Sequence, residues 1–256
     1  MTHPKLTAQL YTVREFTRTA EDFRTSMKKV ADIGYTAVQV SGIGPIPHEQ
    51  VKAITDEFGL TICITHVGFE YLQNDIEAAI AQHQLWMCPN VAIGSMPNAY
   101  RQGGLDGFRQ FAKDAETVGK KLADVGLTFS YHNHSFEFAR FGDQTGLDII
   151  YDESDPRYLK AELDTYWVQH GGGDVIGWID KLAGRMPVIH FKDMVIYDGQ
   201  QTMAEIGEGN LNWAAIIEAC EEGGVDWYAI EQDVCQRDPF ESLKISYDNL
   251  RAMGVE

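Results

Sequence analysis

The chain has 256 residues, 44% hydrophobic and 23% charged, so it suits one α/β barrel or at most two small domains with a full core. The 38 acidic and 21 basic side chains give a net charge of −17, which argues against nucleic acid or an anionic membrane as a partner. Scattered cysteines, no run of 18 apolar residues and no apolar signal core near the N-terminus lead us to expect a cytoplasmic protein with reduced thiols.

Short apolar runs alternate with segments of helical spacing along the chain. In the first such segment Phe23, Met27, Val30 and Ile33 recur at helical intervals, and Gly34 ends it. Glycines close several later segments in the same way, and an apolar run follows within a few residues. The predicted helices cover residues 19–33, 51–58, 75–84 and about 105–125. The predicted strands cover residues 6–12, 37–40, 60–66, 91–94, 161–164, 187–191 and 227–231, with one more that enters at residues 126–127 and continues into 129–138.

Eight strands that alternate with helices indicate parallel strands joined by right-handed crossovers. At this length we expect a (β/α)8 TIM barrel that forms a single domain over residues 1–256. An open doubly wound sheet is the alternative fold. The first strand-to-helix turn, residues 11–14, lacks the glycine-rich phosphate loop of the common nucleotide-binding version of that sheet.

Residues 129–138 place two histidines and a carboxylate where a strand gives way to a loop. Side chains alternate across a strand, so Ser130, His132 and His134 are predicted to share a polar face, while Phe129 and Tyr131 pack on the helices. Such a histidine pair can bind a metal or act in acid-base catalysis. The structural alternative is a pair of hydrogen-bonded interior histidines.

The strand ends of a (β/α)8 barrel form the active site, and here they are rich in histidine and carboxylate. Asp164, His190 and Glu231 end three consecutive runs beside His132, a set that suits one divalent ion of Mn, Zn, Co or Mg. Structural alternatives are a helix cap for Asp164, a core histidine for His190 and a solvated turn pair for Lys192 with Asp193. Glu231 is harder to explain structurally, because an unpaired carboxylate in the barrel mouth is costly. The strand-end residues as a whole are Gln9, Tyr11, Gln39, His66, His132, His134, Glu137, Asp164, His190, Lys192 and Glu231.

At these residues the chain resembles the xylose isomerase-like TIM barrel family, the sugar phosphate isomerases/epimerases that also include endonuclease IV and inosose dehydratases. The resemblance runs from about residue 6 to residue 233, nearly the whole chain. It rests on the ordered set Tyr131-His132-Asn133-His134 with Glu137, Leu163-Asp164-Thr165-Tyr166-Trp167, Ile189-His190-Phe191-Lys192-Asp193, Ile206-Gly207-Glu208-Gly209-Asn210-Leu211-Asn212-Trp213 and Ile230-Glu231-Gln232-Asp233.

The resemblance implies one divalent metal bound by Glu, Asp, His and Glu from the last four strands. Asp164, His190 and Glu231 match the last three, and we expect Glu137 to be the first, with His132 or His134 completing or replacing it. Gln39 stands where an acid is common in the family, which argues against a multi-zinc endonuclease site. The histidine-rich variant is similar to the subgroup with inosose dehydratases and keto-sugar lyases.

We therefore expect a metal-dependent isomerase or epimerase that acts on a small keto-sugar or polyol through an enediolate, with dehydratase or lyase chemistry as the alternative. His134 and Glu231 are expected to move the proton, and Lys192 to neutralise or protonate a substrate oxygen. Residues expected to contact the sugar are Tyr11, His66, His132 and Trp167.

Two other classes of function stay open. One is a non-catalytic sugar-binding or partner subunit on a barrel that has lost its activity. His66 can orient substrate or cap a strand, and Trp167 and Trp213 can stack on a sugar face or be core side chains. The other is a DNA-repair nuclease, which conflicts with the charge of −17. Pairing of barrel rims into a homo-oligomer is also open.

Overall fold

The computed structural model describes residues 5–255, which form a closed barrel of eight parallel strands. Each strand pairs with its neighbours in chain order, and the last strand pairs back onto the first with Lys5 opposite Trp227. The (β/α)8 prediction is confirmed. The single domain predicted over residues 1–256 includes residues 1–4 and 256, which lie outside the described residues. The strands are β1 Lys5–Gln9, β2 Ala37–Val40, β3 Thr61–His66, β4 Asn90–Ile93, β5 Thr128–His132, β6 Lys160–Asp164, β7 Val188–Phe191 and β8 Trp227–Ile230.

Helices lie between the strands and cover the outside of the barrel. They are α1 Ala20–Ile33, α2 His48–Glu57, α3 Phe69–Asn74, α4 Ile76–Trp86, α5 Asn98–Gln102, α6 Gly104–Ala123, α7 Gly146–Asp152, α8 Thr165–His170, α9 Val175–Lys181, α10 Trp213–Glu222 and α11 Pro239–Ala252. Short 3-10 helices span Leu10–Phe16 and Phe136–Phe138. Two small hairpins pair Arg140–Phe141 with Gln144–Thr145 and Asp193–Tyr197 with Gln200–Ala204.

Strand β5 shows how the alternation of side chains divides the barrel. Phe129 and Tyr131 point outward and pack on aromatic side chains of the helices. The ring centroid of Phe129 lies 6.5 Å from that of Phe69, and the ring centroid of Tyr131 lies 5.0 Å from that of Phe111. These contacts belong to the main hydrophobic core between barrel and helices. The intervening His132 is buried on the opposite, interior face, as alternation predicts.

Two predicted strands end earlier than expected. The predicted strand over residues 6–12 stops at Gln9, because the side-chain oxygen of Gln9 accepts the amide N–H of Tyr11 at 2.6 Å and the chain turns into a 3-10 helix. Strand β5 stops at His132. The shared polar face predicted for the fifth strand therefore includes His132 but not His134, which lies in the following loop.

The longest helix approaches the loop before β6 without room for a side chain. A Cβ atom on Gly119 of α6 would lie 2.0 Å from the carbonyl oxygen of Tyr158. Glycine is thus required by close packing here, and not by its backbone freedom. No helix within residues 5–255 combines the length and the apolar character that a membrane crossing needs.

We expect Gly119→Ala to destabilise the fold by about 1–3 kcal/mol, because overpacking outweighs the roughly 1 kcal/mol that alanine gains in helix propensity. Thr117→Ala on the exposed face of the same helix is the control, and we expect it to change stability by less than about 0.5 kcal/mol. Urea unfolding of the two variants measures both values. A Gly119→Ala variant as stable as the wild type would contradict the close packing.

Candidate metal centre and active site

Four side chains from consecutive strands meet at the carboxyl end of the barrel. His132, Asp164 and His190 lie on β5, β6 and β7, and Glu231 follows β8 directly. All four are buried, and one potential ligand atom from each lies within 4.8 Å of the others. We call these four residues the ligand cluster.

Each carboxylate of the ligand cluster has one oxygen anchored and one directed into the cluster. Asp164 Oδ1 accepts the amide N–H of Trp167 at 2.9 Å, which caps helix α8. Glu231 Oε1 accepts the side-chain amide of Gln9 at 2.9 Å. The remaining oxygens, Asp164 Oδ2 and Glu231 Oε2, are therefore held in place without further rotation of either side chain. The helix cap expected of Asp164 as a structural alternative thus exists alongside its place in the cluster.

Each of the two histidines likewise directs one ring nitrogen into the ligand cluster. His132 Nδ1 lies 3.0 Å from the carbonyl oxygen of Gly94, and its Nε2 lies 3.2 Å from Asp164 Oδ2. His190 Nε2 points away from the cluster, and its Nδ1 lies 2.9 Å from Glu231 Oε2 and 3.8 Å from Asp164 Oδ2. Two nitrogens and two oxygens thus converge, a donor set that fits Zn, Mn or Co.

Lys192 places a positive charge against the same oxygens. Its side chain is fully buried, and Nζ lies 2.9 Å from Asp164 Oδ2, 2.7 Å from Glu231 Oε2 and 2.7 Å from Asp233 Oδ2. Burial acts to lower the pKa of Lys192, but the surrounding carboxylates outweigh it and raise that pKa. Lys192 is therefore a buried ammonium, which contradicts the solvated turn pair considered for it.

The ligand cluster carries strongly shifted pKa values. Burial opposes the charged form of His190, yet Glu162 and Glu231 raise its pKa to about 10. Burial likewise acts to raise the pKa of Glu231, but Lys192 and His190 lower it well below the usual range. Opposite charges thus stabilise one another inside the barrel.

Asp193 organises the loop that follows β7. Its carboxylate accepts five N–H groups, from the backbone of Met194, Gly207, Gly209 and Leu211 and from the indole of Trp213 at 2.6 Å. The motif over residues 206–213 is therefore wrapped around a buried carboxylate. This explains Trp213 as a structural side chain, the second of the alternatives considered for it.

A family model described as xylose isomerase-like TIM barrel matches residues 27–252. The chain belongs to this family. The family-level resemblance noted in the sequence is thereby confirmed.

The curated relatives that match this chain are named inosose dehydratases. An inosose dehydratase of Lacticaseibacillus casei is 27% identical over 158 residues, which are 53% of this chain and 51% of that protein. One of Geobacillus thermodenitrificans is 23% identical over 142 residues, 48% of this chain and 47% of that protein. The match thus spans about half the length of these curated relatives.

Solved structures of the family share the fold at low identity. A sugar phosphate isomerase/epimerase of Parabacteroides distasonis superposes with a TM-score of 0.82 at 22% identity, covering 99% of this chain and all of that one. A probable 3-DHS dehydratase of Bacillus anthracis gives 0.73 at 14% identity, covering 96% and 98%. These likenesses establish the barrel.

Glu137 lies outside the ligand cluster, unlike the carboxylate ligand expected from the family resemblance. The side chain is buried in the 3-10 turn after β5, where it accepts the hydroxyl of Tyr131 at 2.5 Å and the amide N–H of His134 at 3.0 and 2.9 Å. Both oxygens are thus used to hold the loop. The cluster receives His132 at this corner instead, one of the two histidines considered as a replacement.

His134 stands beside the cluster. Its ring meets that of His132 edge-on at 5.0 Å and lies 5.3 Å from Trp167. Its Nδ1 is buried and has no hydrogen-bond partner within residues 5–255. Burial, followed by the neighbouring His132 and Lys192, lowers the pKa of His134 to about 3, so the ring is neutral near pH 7.

The other predicted sugar contacts surround this centre at different depths. Tyr11 is half-buried in the turn after β1, with the guanidinium of Arg14 4.2 Å from its ring. Trp167 is half-buried, and its ring lies 5.6 Å from Lys192 Nζ. His66 Nε2 contacts Glu162 Oε2 at 2.7 Å, so that nitrogen faces the barrel interior.

Glu162 is the site residue that the sequence reasoning did not select. It is fully buried and lies two positions before Asp164 on β6, on the same inward face. Side-chain alternation places Glu162 on the inward face of β6, but it does not stand at the strand end, where the active-site residues of a (β/α)8 barrel are expected. Gln39, one of the predicted strand-end residues and a position where an acid is common in the family, donates its side-chain N–H to Glu162 at 2.8 Å.

The carboxyl of Glu137 gives a testable pH dependence. Burial raises its pKa from 4.5 to about 7, despite the opposing hydrogen bonds from Tyr131 and the His134 amide. Because the folded-state pKa is the higher one, the stabilisation is fully present below pH 4.5 and is lost as the pH rises to about 7. This difference corresponds to about 3 kcal/mol.

We therefore expect the free energy of unfolding of the wild type to fall by about 3 kcal/mol more between pH 4.5 and 7 than that of Glu137→Gln. Urea unfolding at the two pH values measures this difference. Glu222→Gln, at an exposed position, should keep the wild-type dependence. If Glu137→Gln and the wild type changed in parallel, the buried carboxyl would not be the source of the pH dependence.

Proposed function

We propose that this protein is a divalent-metal-dependent enzyme that acts on a small keto-sugar or polyol, with isomerisation or epimerisation through an enediolate as its leading reaction. The observation that carries the proposal is the ligand cluster, with two nitrogens and two carboxylate oxygens each held by a second contact. Catalytic groups of (β/α)8 enzymes lie at this end of the barrel.

The metal would be held by His132, Asp164, His190 and Glu231. When bound, a divalent ion supplies Lewis acidity, which polarises a substrate carbonyl and stabilises negative charge that develops on its oxygen. The donor set does not decide between Mn, Zn, Co and Mg, although two histidines favour Zn, Mn or Co over Mg.

His134 is proposed as the group that removes the proton next to the carbonyl. The buried Nδ1 lacks a partner among the described residues, and the ring is neutral near pH 7, so this nitrogen can contact a substrate C–H. The lowered pKa makes the free ring a weak base, so the proposed step requires a metal that would acidify the C–H next to the carbonyl. Glu231, assigned to proton transfer from the sequence, has Oε1 bound to Gln9 and Oε2 bound to Lys192. It is therefore better suited to hold Lys192 than to act as the first base.

Sugar binding is proposed for the aromatic and polar groups around His134. The half-buried ring of Trp167 can pack on the apolar face of a sugar ring, and its Nε1 has no hydrogen-bond partner within residues 5–255. Tyr11 is half-buried in the turn after β1 and is proposed as a further sugar contact. Both ring nitrogens of His132 already have contacts, so we propose that it binds the metal rather than the sugar. A small neutral sugar also suits the net charge of −17, which disfavours nucleic acid.

Dehydration is the second candidate reaction, and Lys192 is the observation that favours it. Expulsion of a hydroxyl group from the carbon next to the enediolate needs a proton donor for the departing oxygen. Lys192 is an ammonium buried beside the cluster, where it can deliver that proton. The similarity to inosose dehydratases points the same way.

The ligand assignment predicts a contrast between two neighbouring side chains. Substitution of a residue that only supports a metal ligand lowers metal affinity by up to about 100-fold. We expect His132→Ala to lower the affinity for Co²⁺ by more than this, because it removes a direct donor. Glu137→Gln is the matched control and should keep about one metal per chain. Titration calorimetry on the metal-stripped variants measures both. Loss of binding in Glu137→Gln with retention in His132→Ala would restore the ligand set expected from the sequence.

The proposed chemistry predicts exchange of a substrate proton. We expect the wild type with Mn²⁺ or Co²⁺ in deuterated water to replace the α-proton of at least one member of a panel of ketoses and inososes, observed by NMR. His134→Asn should slow this exchange by about 10²–10⁴-fold. His48→Asn, at an exposed position on α2, is the control and should exchange at the wild-type rate.

Two other outcomes of that experiment would change the proposal. A wild type that binds one metal but exchanges no proton would contradict an enolising enzyme. A wild type that binds sugar with neither metal nor exchange would favour the non-catalytic binding subunit.

A further inference from the structure

A buried hydrogen-bond network lies behind the ligand cluster, and Glu162 is its centre. Glu162 Oε1 lies 2.8 Å from Gln39 Nε2 and 3.1 Å from His190 Nε2, and Oε2 lies 2.7 Å from His66 Nε2. Glu162, Gln39 and His190 are all fully buried. Each of these contacts is therefore made away from solvent.

The chemistry of Glu162 fixes the orientation of Gln39. Three nitrogens surround its two oxygens, Gln39 Nε2, His190 Nε2 and His66 Nε2, so the side chain acts as a carboxylate that only accepts hydrogen bonds. The atom of Gln39 next to it must then be the NH2 group. The amide oxygen of Gln39 consequently faces His190 Nε2, at 2.8 Å.

Two oxygens that can only accept thus face one nitrogen of His190. Both Gln39 Oε1 and Glu162 Oε1 require Nε2 to carry a hydrogen. Without metal, Nδ1 also carries a hydrogen, because it lies 2.9 Å from Glu231 Oε2. A divalent ion would take the place of that hydrogen, while the hydrogen on Nε2 would stay. Nδ1 is the nitrogen that faces Asp164 and Glu231 in the ligand cluster.

We propose that Glu162 is a positioning residue that, together with Gln39, keeps His190 protonated on Nε2 so that Nδ1 is available to bind the metal. This inference rests on the proposed metal-dependent function. Histidine ligands commonly donate their second ring N–H to a carboxylate, which fixes the tautomer and raises the basicity of the ligand nitrogen. Glu162 occupies that position here, because its Oε1 lies 3.1 Å from His190 Nε2 on the side of the ring away from the ligand cluster.

His66 completes this arrangement from the other side. Its Nε2 binds the second oxygen of Glu162, and its Nδ1 lies 3.3 Å from the hydroxyl of Ser41. The carboxylate is thereby held at both oxygens and cannot rotate away from His190. The role that this contact indicates for His66 is to hold Glu162, which differs from the direct sugar contact expected from the sequence.

The three side chains could instead form a second cation site, because potential ligand atoms of His66, Glu162 and His190 also lie within 4.8 Å of one another. The hydrogen bonds argue for the network, since Glu162 Oε1 already accepts from both Gln39 and His190. Metal stoichiometry separates the two interpretations.

The test compares Glu162→Met, which removes the acceptor, with Glu162→Gln, which keeps an amide oxygen for His190. Glu205→Gln is the matched control, since Glu205 is also buried but binds Ser242 at 2.6 Å instead of a histidine. The readouts are the ring N–H signals of His190 by ¹⁵N NMR, assigned with His190→Asn, and the affinity for Zn²⁺ and Co²⁺ by calorimetry. Circular dichroism checks that each variant is folded.

In the wild type and in Glu205→Gln we expect a slowly exchanging proton on His190 Nε2, both without metal and with Zn²⁺, and one metal per chain. In Glu162→Met we expect this signal to be lost or to exchange rapidly and the metal affinity to fall by about 10–100-fold. Glu162→Gln should retain the signal with a smaller loss of affinity, which a merely structural role would not produce. The visible spectrum of bound Co²⁺ should change in Glu162→Met and not in the control.

Three results would overturn the inference. They are a wild-type His190 without a proton on Nε2, a Glu162→Met variant with wild-type signal and affinity, and a second metal per chain that Glu162→Met removes. Failure of the proposed function looks different, since the wild type would then bind no metal or exchange no substrate proton. The NMR signal of metal-free His190 still reports on Glu162 in that case.

Discussion

The attraction between buried carboxylates and buried cations is the interaction on which the centre of this barrel depends. Asp164 Oδ2 and Glu231 Oε2 lie in an interior where an unpaired charge would cost several kcal/mol. Lys192 and His190 compensate them from within 3 Å in the closest contacts. The same concentration of negative oxygens that requires these cations also makes the site attractive to a divalent ion. Electrostatic compensation and the proposed metal binding would therefore be two consequences of one arrangement.

Anchoring explains how flexible side chains become a defined donor set. A carboxylate or imidazole has two polar atoms, and each member of the ligand cluster uses one of them for a fixed neighbour: a helix amide, a glutamine, a backbone carbonyl or a carboxylate. Parallel strands bring the four residues to the same edge, but this alone leaves the side-chain torsions free. The second contact removes that freedom before any ligand arrives, which reduces the entropy lost on binding.

The sequence predicts the barrel and indicates Asp164, His190 and Glu231, with His132 as an alternative to Glu137, because strand alternation and strand ends are local features. It does not predict that Glu137 lies outside the cluster, since a preference for a carboxylate ligand says nothing of how the chain turns after β5 and folds that side chain back onto Tyr131. Side-chain alternation predicts that Glu162 faces the barrel interior, but the strand-end rule does not indicate it, because it lies two residues before the end of β6. The hairpin after β7 and the short first strand depend on contacts of Asp193 and Gln9 that no spacing rule contains.

The choice between isomerisation and dehydration turns on the properties of Lys192. Both reactions begin with removal of a proton next to a carbonyl, and they differ in whether the next proton goes to carbon or to a departing oxygen. Three carboxylates stabilise the charged form of Lys192, so it is a weak acid that gives its proton only to a strongly basic atom. A departing alkoxide-like oxygen is such an atom. In the proposed function, Lys192 would therefore act as the proton donor of a dehydration only for a substrate that presents a departing oxygen to it, and isomerisation stays the leading reaction.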